Sequence, residues 1–350
     1  MQIPVPLPRS MHLWLPGYLG SLLRPELSGP AHVWLSITDH YEPFHGKADD
    51  RTAEERVAQW RRRWPEIADR HRDSRGGPAK YCFFYPQEEY RPNLLDPLAE
   101  MTAAGIADVD IHIHHDGEGE QNFVDRMGSF IEVLSTRHGL LRQRDGRTAF
   151  GFIHGNWALD NSRPDGRYCG LNNEITLLKQ MGCYADFTLP SAPSATQAQM
   201  VNTIYWAKDD PLRSKSHDKG TPVRVGGGVD GDLLMIPGPL ALRWQGRKPW
   251  APRIESGELA GYDLPSADRA ELWLRVAPRL GNHIFVKLFG HGTQERNSGP
   301  LLDHGLDELF SAMAEACKQC GHKLVFATAW EMAHAVEQVR LGKDPLPGSR

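Results

Sequence analysis

Long apolar runs are missing from this chain of 350 residues. No window approaches 18 uninterrupted apolar residues, so no transmembrane helix is expected. An excess of positive charge is missing too: 40 Lys and Arg stand against 44 Asp and Glu, a net charge of −4. That balance leaves no basic footprint for nucleic acid, and no long single-sign run marks a polybasic membrane anchor. The first 30 residues are rich in proline and leucine. They lack the basic start, clean apolar stretch and small-residue cleavage site of a signal peptide. They read as an arm packed on the domain, and the chain as cytoplasmic. Cysteine is scarce. Cys82, Cys169, Cys183, Cys317 and Cys320 are odd in number and scattered, which argues against a disulfide framework and suits a reducing compartment. Cys317 and Cys320 form a Cys-x-x-Cys pair inside an expected helix with no second pair, whereas zinc usually takes four ligands. They read as two thiols on one helix face.

What is present is strand–helix alternation over nearly the whole chain. Strands are expected at 32–38, 80–85, 109–115, 148–153, 185–189, 233–236, 283–289 and 323–328. Helices are expected at 51–72, 93–104, 121–138, 174–181, 267–276, 306–320 and 330–340. Thr52 is a plausible cap for the first helix, and Pro65 should kink or break it. Between 191 and 231 the composition shifts to Ser, Pro, Gly, Lys and Asp, an excursion long enough to suggest function or mobility. The organisation expected is one α/β domain over 31–341, with the arm before it and a tail at 342–350. Such alternation favours a parallel α/β barrel or a doubly wound sheet, and in both the chemistry collects at the C-terminal ends of strands.

Histidine is plentiful, 16 in all. The run Val109-Asp110-Ile111-His112-Ile113-His114-His115-Asp116 has the period of a two-faced strand. Val109, Ile111 and Ile113 should face one way, and Asp110, His112 and His114 the other. Two imidazoles two residues apart on one face can reach a single metal ion. Other expected strands also end in chemistry: the first in Asp39-His40, the fourth in His154, and a late one in Gly290-His291-Gly292. Four strands ending in carboxylate or imidazole suggest a shared site.

The order of these motifs resembles the polysaccharide deacetylase family, metal-dependent carbohydrate esterases with a distorted (β/α) barrel of about seven strands. The matching segments are Ser36-Ile37-Thr38-Asp39-His40, then Ile111-His112-Ile113-His114-His115, then Phe152-Ile153-His154-Gly155-Asn156-Trp157. The run from Glu174 to Phe187, the strand ending Lys287-Leu-Phe-Gly-His291, and Val325 to Met332 complete the order. The histidine strand is most similar to the family's His-x-His variant. His40 stands where the family has a second acidic residue, unless Glu42 takes that place, and His154 stands where it has an arginine.

The resemblance implies one divalent ion, with zinc the first candidate, and an N-acetylated sugar or polysaccharide as substrate. Its ligands would be His112 and His114 plus Asp39 or His40, with His115 in reserve. Strand alternation alone puts His40 with Ser36 and Thr38, opposite Asp39. Asp110 could orient a histidine from behind. Such an ion would polarise an amide carbonyl and lower the pKa of bound water from 15.7 toward roughly 7. By resemblance Asp39 is the base and His291 the acid. His154 reads as a core or supporting histidine. Trp157, Tyr205 and Trp206 could offer aromatic faces to a sugar, and Asn172-Asn173-Glu174 reads as a helix start. Two other functions compete. A glycoside hydrolase would need two carboxylates about 5–5.5 Å or 6.5–9.5 Å apart, for which Asp39 with Glu42, or Asp116 with Glu118, are candidates. The other is a catalytically inactive protein that binds carbohydrate.

Overall fold

Alternating β-rich segments form the frame that carries the histidines. The computed structural model describes residues 8–244 and 252–346. In it the first strand, His32–His40, lies parallel to His283–Gly290 along one edge. Its other edge is shared: Lys323–Phe326 pairs with residues 32–35, and Tyr81–Pro86 with residues 38–40. From Tyr81–Pro86 the parallel ladder continues through Ala107–Ile113, Arg147–His154, Cys183–Asp186 and Leu233–Met235.

This is a mixed α/β fold with a large, mostly parallel sheet, but the sheet does not close. The barrel expected from the family resemblance is therefore not formed as a continuous ladder. The reason is that both free edges are already taken. Tyr205–Ala207 runs antiparallel on the edge of Leu233–Met235, while Glu258–Leu259 and Arg279–Leu280 occupy the far side of His283–Gly290. The two sides still meet without pairing. Lys287 Nζ donates to the Phe187 carbonyl at 2.7 Å. Gly238 lies so close that a Cβ there would be 2.4 Å from the Lys287 carbonyl oxygen.

Each strand sorts its side chains onto two layers. Val33, Leu35 and Ile37 pack outward with Val109, Ile111, Ile113, Phe150, Phe152, Val286 and Leu288, against helices carrying Trp60, Trp64, Leu98, Met127 and Met313. Trp34, Cys82, Phe84, Ile153, Phe187 and Phe285 face inward, where Met332, Val336 and Val339 of the last helix, Ala329–Arg340, cover them. Burial of these two apolar layers supplies the main driving force for the fold, at about 25 cal/mol per Å².

Local details depart from expectation in instructive ways. The first long helix runs Asp50–Arg70 and is capped by Asp49, whose Oδ1 accepts from the Thr52 amide at 2.9 Å, rather than by Thr52 itself. Pro65 lies inside that helix without ending it. The arm contains a helix, Met11–Leu22, whose Trp14 and Tyr18 are buried with Val201, Leu240 and Leu272. The 191–231 excursion is pinned: Gln197 Oε1 accepts from the Ser191 and Ala192 amides, and Lys215 Nζ donates to the Ala195 and Gln197 carbonyls. Among the described residues no helix is long and apolar enough to cross a membrane.

Candidate metal centre

Period-2 alternation divides the histidines into two groups on opposite layers. His40, His112 and His291 follow the inward residues of their strands, and the His114 ring lies against His112; His115 and His154 follow the outward ones. The consecutive residues His114 and His115 thus serve different clusters.

The inner group gathers around Glu42. Its Oε1 lies 3.4 Å from His112 Nε2 and 3.6 Å from His114 Nε2. The ligand atoms of Glu42, His112 and His114 fall within 4.8 Å of one another, as do those of His40, Glu42 and His291, and either trio could hold a metal ion. The His40 ring centroid is 5.0 Å from that of His112 and 4.8 Å from that of His291.

The protonation pattern of the two strand histidines is set from behind. His112 Nδ1 lies 2.8 Å from the Ile153 carbonyl oxygen, which can only accept, so Nδ1 carries the proton and Nε2 the lone pair. That Nε2 is fully buried and has no hydrogen-bond partner. His114 Nδ1 lies 2.5 Å from Glu88 Oε1, which again leaves Nε2 as the inward atom. Two lone pairs aimed at one carboxylate oxygen repel unless a cation or proton lies between them. An acceptor behind each imidazole is the usual support of a metal-binding histidine. The residues present fit a divalent ion.

Charge agrees with geometry. Burial works to raise the pKa of Glu42, but the neighbouring His112 and His45 overcome it and hold the carboxyl well below its ordinary range. Burial, followed by the neighbouring His291 and His112, holds His40 well below 6.5, and burial lowers His291 as well. Both are neutral at neutral pH. For His114 burial opposes the charged form, yet Glu88 and Glu42 raise its pKa overall. Its side chain is 32% exposed, so the group opens to solvent there.

The outer group is His115, His154, Cys169 and Glu174, all buried, with ligand atoms within 4.8 Å of one another; it too could hold a metal ion. Glu174 was expected only to start a helix. It does lie at the start of Glu174–Met181, but Asn173 makes no side-chain cap; Glu174 Oε1 meets His115 Nε2 inside this cluster, and Oε2 accepts from the Asp160 amide. Burial lowers the pKa of His154 to about 3. Burial would raise that of Glu174, but His154 and His115 lower it to about 2.

The other expected residues are placed as follows. Asp39 faces outward, away from the inner group, and accepts the Gly292 amide at 2.8 and 3.0 Å. It holds the turn that carries His291, and burial, partly offset by that amide, raises its pKa to about 7. Asp110 contacts neither group: it accepts from the Gly151 amide and from the Tyr184 hydroxyl, both at 2.6 Å. Trp157 does reach the inner group, with ring centroids 6.1 Å from His40 and 6.3 Å from His291. Tyr205 is buried and donates to the His217 carbonyl, and Trp206 packs in the inner apolar layer near Leu234. Neither forms a face at the histidines. Asp116 accepts from the Tyr168 amide, and Glu118 pairs with Arg126, so that carboxylate pair is committed to structure. Cys317 is buried and Cys320 exposed, both free.

Sequence reasoning missed Glu88, Cys169 and the role of Glu174. The outward parity of His115 and His154 was the available sign that they belong to one layer. No protein-family model matches this chain, and no curated protein matches it.

Proposed function

We propose that this protein is a metal-dependent hydrolase that removes N-acetyl groups from a sugar or polysaccharide. The observation that carries the reading is the convergence of the His112 and His114 Nε2 atoms on Glu42, with neutral His40 and His291 alongside. Glu42, His112 and His114 would hold the ion, and nitrogen and oxygen donors of this kind suit zinc. A divalent ion supplies Lewis acidity toward an amide carbonyl and makes water nucleophilic near neutral pH.

The chain's own residues do the rest. His291 is neutral and takes a proton as water attacks, then returns it to the leaving amine. Asp39 fixes the Gly290–Gly292 turn that positions His291, so its part is orientation rather than proton transfer. Trp157 presents an indole beside His40 and His291, and its Nε1–H has no protein acceptor. The order of motifs along the chain supports the deacetylase reading and, with it, the N-acetyl substrate. On that reading the unclosed sheet is a distorted form of the family's barrel.

The test is acetate release from N-acetylated chito-oligosaccharides by zinc-loaded protein. Release that stops with chelator and in His114→Ala is expected. Folded protein with zinc at Glu42, His112 and His114 that frees no acetate from any N-acetyl glycan would overturn the assignment.

A further inference from the structure

The outer cluster has every mark of a closed site. The side chains of His115, His154 and Glu174 are 0% exposed, and so is Cys169. His115 Nε2 lies 2.9 Å from His154 Nε2 and 3.0 Å from Glu174 Oε1. His154 Nε2 lies 3.4 Å from that oxygen, and Cys169 Sγ is 3.4 Å from Glu174 Oε2. Tetrahedral zinc with bonds of about 2.0–2.3 Å has ligand–ligand edges of roughly 3.3–3.8 Å, close to the His–His and His–Glu separations here, and all four ligand atoms lie within 4.8 Å of one another.

With His115 neutral, hydrogen bonding without an ion does not balance. His154 Nδ1 lies 2.6 Å from the Gly155 carbonyl oxygen and must donate there, so its Nε2 bears a lone pair. His115 Nδ1 is buried without a hydrogen-bond partner, 3.5 Å from Glu118 Oε2. A neutral His115 has one proton for Glu118 on one side and for Glu174 and the His154 lone pair on the other. A cation between the two Nε2 atoms and Glu174 Oε1 frees that proton for Nδ1. The sulfur points the same way. The amides of Asn161 and Leu171 both aim at Cys169 Sγ, at 3.2 and 3.5 Å, and would steady a thiolate once an ion replaces the Leu171 carbonyl and Glu174 oxygen that the thiol faces here. Thiolate plus carboxylate neutralise a divalent charge in a site with no water contact, which burial demands.

We infer that a second, thiophilic divalent ion, zinc by its donor set, is held by His115, His154, Cys169 and Glu174 as a structural staple. Four protein ligands leave no open position, so this ion does no chemistry on substrate. It ties the ends of two strands to the 155–174 loop and the helix after it. That loop begins with Gly155, whose backbone presses on the His114 ring, and Trp157, beside His291. The staple therefore sets the wall of the inner group. It stands or falls independently of the hydrolase reading.

The experiment uses the full chain. Zinc per chain is measured by elemental analysis in wild type, His112→Ala and Cys169→Ser, and cobalt(II)-substituted wild type is examined by absorption spectroscopy. Two equivalents in wild type, one in His112→Ala, and a thiolate-to-cobalt charge-transfer band in wild type are expected. The band should survive His112→Ala and vanish in Cys169→Ser. Cobalt-loaded wild type without a thiolate band would overturn the staple, whether or not Cys169→Ser folds. A single equivalent together with the band would leave the staple standing and remove the inner ion instead.

Discussion

At the scale of single residues, the account turns on which atoms face the ion and which stand behind. Glu88 holds His114 by Nδ1, and losing such a support typically weakens metal binding 10–100-fold. Glu88→Ala should show that loss in a zinc competition titration with a chromophoric chelator; unchanged affinity would remove Glu88 from the account. Asp39 offers a sharper contrast. A general base is worth 10²–10⁴ in rate. Asp39→Asn keeps an acceptor for the Gly292 amide, so acetate release should fall less than about 10-fold. A loss of 10³ or more would return Asp39 to the role of base. Much of this scale was legible. Strand alternation alone places His112 with His114, and His40 opposite Asp39. Glu88 was not legible, because it lies beyond the end of a neighbouring strand, 26 residues from its partner in the chain.

At the scale of elements, strand ends meet loops at very close quarters. A Cβ on Gly155 would lie 2.3 Å from His114 Cδ2 and 2.7 Å from the Ile113 carbonyl oxygen. The backbone cannot yield easily there. Gly155→Ala should cost about 1–3 kcal/mol by overpacking, read from urea midpoints, and should lower zinc occupancy of the inner group. Wild-type stability and occupancy would mean that the loop is not seated on His114. The long strands and helices were readable from their period. The three-residue strands Tyr205–Ala207 and Gly220–Pro222 were not, because three residues show no alternation. Those short strands occupy the edge that closure would need, so the open sheet could not be foreseen.

At the scale of the whole molecule, buried acids set a pH dependence. Burial, reinforced by the negative charge of Asp108, raises the Asp110 pKa from 3.8 to about 8. The unfolded chain ionises first. Stability from the protonated carboxyl is therefore whole below pH 4 and drains away as the pH climbs through about 8. Asp110→Asn stays neutral, so it should gain stability relative to wild type between pH 5 and pH 8 in paired urea melts. A pH-independent difference between the two proteins would contradict that sign. The α/β class followed from strand–helix alternation. The division of buried polar residues between two layers depended on which strands become neighbours, and that is decided by packing over long chain separations.

The central claim is that Glu42, His112 and His114 bind one divalent ion. Anomalous X-ray scattering at the zinc edge, from crystals of the zinc-loaded protein, addresses it most directly. A peak about 2.0–2.2 Å from both Nε2 atoms and a Glu42 oxygen is predicted. A zinc-saturated crystal with no peak among those three side chains would contradict the account.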